Sequence, residues 1–161
     1  MAFLSWRREY EVGVWQIDAE HRSLFKLVNE FHDTHARGHS RKEIARVLNR
    51  LVAYAEEHFQ HEERLMSEND YPLLDQHREQ HGALVSSIFA IEERLAHDIA
   101  GAGAEILQFI RKWLVEHIIR NDMHIGDYLQ RRTLQAGKAP MDANAKKIED
   151  TAPAGAANSG G

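Results

Sequence analysis

HFQHEERLMSENDYPLLDQHREQH, residues 58–81, is the stretch whose reading decides the fold. His58 and Glu62 are four residues apart, as are His77 and His81. In a helix that spacing stacks two side chains on one face. Between the pairs lies Asp70-Tyr71-Pro72, and the residue before a proline avoids the helical region. One helix therefore ends there and another begins. A short connection makes such neighbours antiparallel, so the two pairs face each other across a helix–helix contact.

Working outward, glycine marks the other breaks, at Gly38 and at Gly101 and Gly103. No alternating strand pattern of useful length appears. The spacing predicts four helices, about 19–37, 41–67, 72–98 and 104–130, which short connections order up-down-up-down. Residues 1–18 hold Trp6, Tyr10, Val12, Val14, Trp15 and Ile17, too apolar for a free arm, and should pack along the bundle. Residues 134–161 hold two of the three prolines and four of the ten glycines, with no aromatic residue. They cannot bury enough apolar surface to fold alone and read as a disordered tail or linker. The fold class expected is an all-α, antiparallel four-helix bundle over 1–133, with an N-terminal arm and a disordered C-terminal tail over 134–161.

Composition narrows the chemistry. The 161 residues include no cysteine, which excludes disulfides, thiolate metal sites and cysteine nucleophiles. The net charge of −5 offers no basic face for nucleic acid. No apolar run approaches the roughly 20 residues of a membrane span. The opening MAFLSWRREYEVGVW carries Arg7, Arg8 and Glu9 where a signal peptide needs its apolar stretch, so a cytoplasmic location is the default expectation. Histidine, at eleven, is in excess. Without cysteine, that excess points to nitrogen-rich metal sites.

The histidines fall on the apolar stripes. These run Ile17, His21, Leu24, Val28, Phe31 in the first helix and Ala55, His58, Glu62, Leu65 late in the second. They run Leu74, His77, His81, Leu84 in the third and Leu107, Ile110, Leu114, His117 in the fourth. Burying an unpaired carboxylate costs several kcal/mol even after relaxation, so five inward histidines with Glu62 call for compensation. The helix order places His21, Glu62, His77 and His117 at one end of the bundle. His117 and Asp122 are five residues apart. On a regular helix that is about 140° beyond one turn and about 7.5 Å of rise. Either a carboxylate spanning two ions accepts that offset, or the helix is distorted there. Five imidazole nitrogens and two bridging carboxylates are too many donors for one metal and suit two. With one solvent-derived bridge, two octahedral ions would be left a single open position, a site for a small ligand.

The motifs IDAEHRSLF around His21, HFQHEE at 58–63, HREQH at 77–81 and HIIRND at 117–122 resemble those of the hemerythrins, bacterial ones in particular, over about residues 5–130. The resemblance implies a non-haem di-iron centre with an oxo or hydroxo bridge. One iron would take His77, His81 and His117, and the other His21 and His58. Glu62 and Asp122 would bridge them. It also implies that dioxygen binds end-on at the iron with fewer protein ligands and leaves as dioxygen. The pocket must then be dry. Its expected walls are Leu24, Phe59, Trp113, Leu114 and Ile118, which would be core residues in any case.

Of the other histidines, His61 lies off the stripe among charges, and His124 is a candidate to support the site from outside. His32, His35 and His39 cluster near a helix end, where a positive side chain suits the dipole. Gly82 inside a helix costs about 0.5–1 kcal/mol against alanine, which leaves close packing or an access path as its reason. The function expected is reversible dioxygen binding by a non-enzymatic protein whose polar outward positions fit a monomer. The alternative is sensing of dioxygen, nitric oxide or redox state through the same site, which would need a protein partner. A ferritin-like oxidase is disfavoured, because the chain has no Glu-x-x-His pair. A structural zinc bundle is disfavoured by the number of donors.

Overall fold

A computed structural model describes residues 2–95 and 99–137 of the chain. The helices are α1 (Trp15–Ala36), α2 (Arg41–Glu68), α3 (Leu74–Leu95), α4 (Ile99–His117) and α5 (Met123–Gln135). A π-helical turn, Ile118–Asp122, joins the last two into one continuous rod. A single 3-10 turn, Arg8–Tyr10, interrupts the arm. Each rod packs on its sequence neighbours, and α1 closes the ring against α4. The result is the expected up-down-up-down bundle. No described helix is long and apolar enough to cross a membrane. Most of the expected tail, residues 138–161, lies outside the described residues, as does His97.

Three boundaries differ from expectation. α1 begins at Trp15, four residues early. Asp18 accounts for this: its carboxylate accepts the N–H groups of Val12 (2.7 Å) and Gly13 (3.1 Å) and closes the arm's last turn onto the helix. Gly13 sits there at φ +87°, a conformation glycine adopts without penalty. α4 begins at Ile99 and runs through Gly101 and Gly103, which read as breaks in the sequence. At Gly103 the missing side chain has a packing reason, because a Cβ would run into the His35 ring. The rod also continues to Gln135 instead of stopping near 130. α2 starts as its composition dictates. Ser40 caps it in a reciprocal box with Glu43, whose carboxylate takes the Ser40 N–H at 3.0 Å. It ends before Asp70, which turns the chain at φ +52°.

The arm is pinned along α1. Leu4 N–H donates to Asn29 Oδ1 (2.9 Å), and Asn29 Nδ2 donates back to the Leu4 carbonyl (2.7 Å). Leu4, Tyr10, Val12 and Val14 are buried, and Trp6 meets Phe25 edge-on with centroids 5.1 Å apart. Farther along, the backbone of Val12 lies against α5 at Gly126, where a Cβ would collide with the Val12 carbonyl oxygen.

That approach yields a test. Gly126→Ala should lower unfolding stability by about 1–3 kcal/mol, the cost of overpacking against backbone that cannot retreat. Gly82→Ala, where a Cβ meets nothing within 4 Å, should be neutral or raise stability by up to about 1 kcal/mol. Urea denaturation of both variants is the measurement. Equal midpoints would mean that the arm does not dock as described.

Candidate metal centre

Seven polar side chains meet inside the bundle, all of them nearly inaccessible: His21, His58, Glu62, His77, His81, His117 and Asp122. α1 contributes His21, α2 contributes His58 and Glu62, α3 contributes His77 and His81, and the fourth rod contributes the rest. The π-turn resolves the five-residue offset between His117 and Asp122. A turn widened to i→i+5 bonding carries Asp122 around to the face of His117, and Asp122 Oδ1 lies 3.2 Å from His117 Nε2.

Each carboxylate faces two ways. Glu62 Oε1 lies 3.3 Å from His58 Nε2 and 3.5 Å from His21 Nε2. Its other oxygen lies 3.4 Å from His77 Nε2 and 3.2 Å from His81 Nε2. Asp122 Oδ2 lies 3.3 Å from His21 Nε2, while Oδ1 lies 3.3 Å from His77 Nε2 and near His117. The side chains thus sort into a group around His21 and His58 and a group around His77, His81 and His117. Both carboxylates span the two groups. All five rings present Nε2 inward.

The outward ring nitrogens show which tautomer this needs. His58 Nδ1–H donates to Glu20 at 2.7 Å, and His81 Nδ1–H donates to Glu63 at 3.0 Å. Glu63 is held in turn by Arg78 (3.2 Å). The Asn121 amide lies 3.4 Å from His117 Nδ1. A proton kept on Nδ1 by a carboxylate leaves the Nε2 lone pair of a neutral imidazole free to bind a metal. Glu20 also accepts a 2.7 Å bond from His61 Nδ1, so His61 sits outside the cluster as its neighbour. His124 is exposed on α5 and does not reach the site. His32 pairs with Asp33, and His39 with Glu43, both away from it.

Electrostatics favour the charged forms of His21, His58, Glu62 and Asp122. For His58, burial is the largest influence and opposes its charge. Glu62 and Glu20 outweigh it, and the pKa rises to about 10. Burial likewise opposes the charge on His21, yet Asp122 and Glu62 raise its pKa. Burial pushes the Glu62 carboxyl up, but His58, His21 and His77 hold it well below the ordinary range. Asp122 is lowered too, by His117 and His21, against burial and the repulsion of Glu62.

Protein groups alone leave the centre unsatisfied. Both ring nitrogens of His21, Glu62 Oε1, His81 Nε2 and both Asp122 oxygens are buried without a hydrogen-bond partner among the described residues. Buried polar atoms are rarely left so. Five of them, all but His21 Nδ1, converge on one centre, and such a set fits a cation. Two sets of converging donor atoms stand out: Glu62 with His77, His81 and His117, and Glu62 with His21 and His58.

Aromatic rings and an apolar cavity border the centre. Phe59 stacks on His81 (3.8 Å, 10°), and Trp113 stacks on His117 (4.2 Å, 12°). A cavity of about 30 Å³ lies alongside, lined only by apolar side chains that include Leu24, Phe59, Leu84, Trp113 and Leu114. Ile118 is fully buried in the π-turn but does not line this cavity. Sequence reasoning missed Glu20 and Glu63. The available signal was that each is a carboxylate next to an inward residue, and a ligating histidine needs a partner for its second nitrogen.

The Hemerythrin HHE cation binding domain family matches residues 12–129. The chain is 32% identical over 130 residues to "Bacteriohemerythrin" of Methylococcus capsulatus, covering 80% of this chain and 98% of that one. It is 30% identical to "Bacteriohemerythrin" of Clostridium acetobutylicum (73% and 94% covered) and 29% identical to "Myohemerythrin" of Theromyzon tessulatum (73% and 86%). Among solved structures, a wild-type hemerythrin superposes with a TM-score of 0.71 at 32% identity, covering 80% of this chain and 98% of that one. With a family match over residues 12–129 and a relative 32% identical over most of both chains, the chain belongs to the hemerythrin family.

Proposed function

We propose that this protein binds dioxygen reversibly at a non-haem di-iron centre. The observation that carries the reading is the pair of two-faced carboxylates, Glu62 and Asp122, each set between a two-histidine group and a three-histidine group. His77, His81 and His117 would hold one iron and His21 and His58 the other, with both carboxylates and an oxo or hydroxo group as bridges. When bound, the iron pair supplies the redox chemistry by which dioxygen is held and released.

The chain's own residues make that reversible. Glu20 and Glu63 fix ring orientation and keep Nδ1 protonated. Phe59 and Trp113 press flat on two of the rings and restrict their motion. The unequal histidine count leaves one group a donor short, so a small ligand has a place on that side only. The apolar cavity excludes water. A polar reactant would lose its hydrogen bonds there, whereas dioxygen loses little. Nothing in the cavity lining can act as a general acid or base, which favours binding over catalysis.

The direct test is an optical spectrum of the iron-loaded, anaerobically reduced protein. A visible charge-transfer band should appear with air and fade under argon. Irreversible conversion to a ferric spectrum would overturn the reading. Glu62→Ala should prevent assembly of the iron pair, whereas His61→Ala should leave iron content unchanged, both read by metal analysis. Retention of two irons in Glu62→Ala would sink the ligand set.

Proton linkage supplies a third check. With its pKa raised to about 10, metal-free His58 is protonated at pH 7. The stability it lends is full below its ordinary pKa and is lost as pH rises through 10. Metal needs the neutral ring, so loading ferrous iron at pH 7 should expel protons, and affinity should rise with pH from the acid side up to neutrality. An indicator dye in weak buffer reads the release. No acidification on loading would contradict the assignment of His58.

A further inference from the structure

A second, larger hollow lies outside the bundle beside the centre. It is an open groove of about 570 Å³ between α2 and α3, and its floor includes Phe59, His81 and Gly82. Phe59 also lines the buried cavity. Phe59, 6% exposed, is thus shared by the outer groove and the apolar cavity. The polar residues around the groove, Glu56, Glu63 and Arg78 among them, keep it wet. Behind the ring the wall is apolar throughout.

Gly82 is one of the residues that line the groove. It is exposed in mid-helix, and a Cβ there would meet nothing within 4 Å. Packing thus offers no reason for a residue that weakens the helix. The space beside it is open, and Phe59 lines the same groove. Trp113 also borders both the cavity and a depression near His117, but that depression is smaller, about 160 Å³, and no glycine opens it. We propose that the Gly82 groove is the way in for dioxygen and that Phe59 is its door, opened by rotation into the space a side chain at position 82 would fill. The cavity suits such a guest. At about 30 Å³ it exceeds the roughly 10–15 Å³ that one water needs, yet it gives water no partner. This inference rests on the dioxygen-binding reading.

Bulk added in the outer groove, away from the cavity lining, changes how fast a ligand comes and goes but not how tightly it is held. Gly82→Leu, and separately Ser86→Phe on the exposed rim of the same groove, should slow dioxygen association and dissociation together, by about tenfold for Gly82→Leu. Affinity should stay within about twofold. Gly82→Ala should behave as wild type. Stopped-flow mixing measures the two rates in the iron-loaded protein. Xenon exchange followed by NMR measures passage into the cavity without any dioxygen chemistry, and it should slow in the same two variants. Unchanged rates in both bulky variants overturn the proposal, as does a change confined to dissociation. If the wild type forms no reversible dioxygen adduct but xenon exchange still slows, the functional reading fails and the door stands.

Discussion

Two carboxylates buried in one bundle impose the governing constraint. Glu62 and Asp122 are each 1% exposed, and their repulsion in a low-dielectric interior is costly unless positive charge lies between them. Much of the surrounding structure answers that cost. Five imidazoles arrive from four rods, two at i,i+4 spacing on α3 alone. Outer carboxylates stand behind two of the rings. Aromatic faces lie flat on His81 and His117. The same two carboxylates raise the pKa values of His21 and His58. Metal and protons therefore compete for one set of lone pairs.

The bundle's ends are divided in kind. Around the cluster lie charged groups, outer carboxylates and the wide turn. The apolar cavity draws its walls from the middle of the helices, such as Val28, Leu51 and Ile110. The polar end orients donor atoms, and the apolar middle keeps water away from them. Neither would serve without the other, because a dry pocket stabilises no ion and an oriented donor set open to solvent protects no guest.

Much of this was legible in the residue pattern. A histidine at a stripe position is a conspicuous exception, and helix order turns four such exceptions into one cluster. What stayed hidden has identifiable physical causes. Gly101 and Gly103 looked like breaks because glycine disfavours helix, yet Gly103 makes room for the His35 ring, a contact only the folded chain reveals. The function of Gly126 depends on where the carbonyl of Val12 travels, 114 residues earlier. Glu20 and Glu63 sit beside inward residues and read as solvated charges, because a charge one position off a stripe normally is. The five-residue step from His117 to Asp122 announced a distortion without saying which.

That step has a consequence for the whole rod. An α-helix keeps one phase from end to end, and a π-turn inserts the equivalent of one residue, advancing everything downstream by about 100°. α4 and α5 are thus two helices out of phase with each other, each matched to a different client. The phase of α4 points His117 and Trp113 at the centre. The phase of α5 points Gly126 at the arm, and Asp122 sits at the changeover. The chain's start and its buried centre are therefore geared through one irregular turn. Losing a single residue between 118 and 121 would misdirect the bridging carboxylate and unseat the arm in the same stroke.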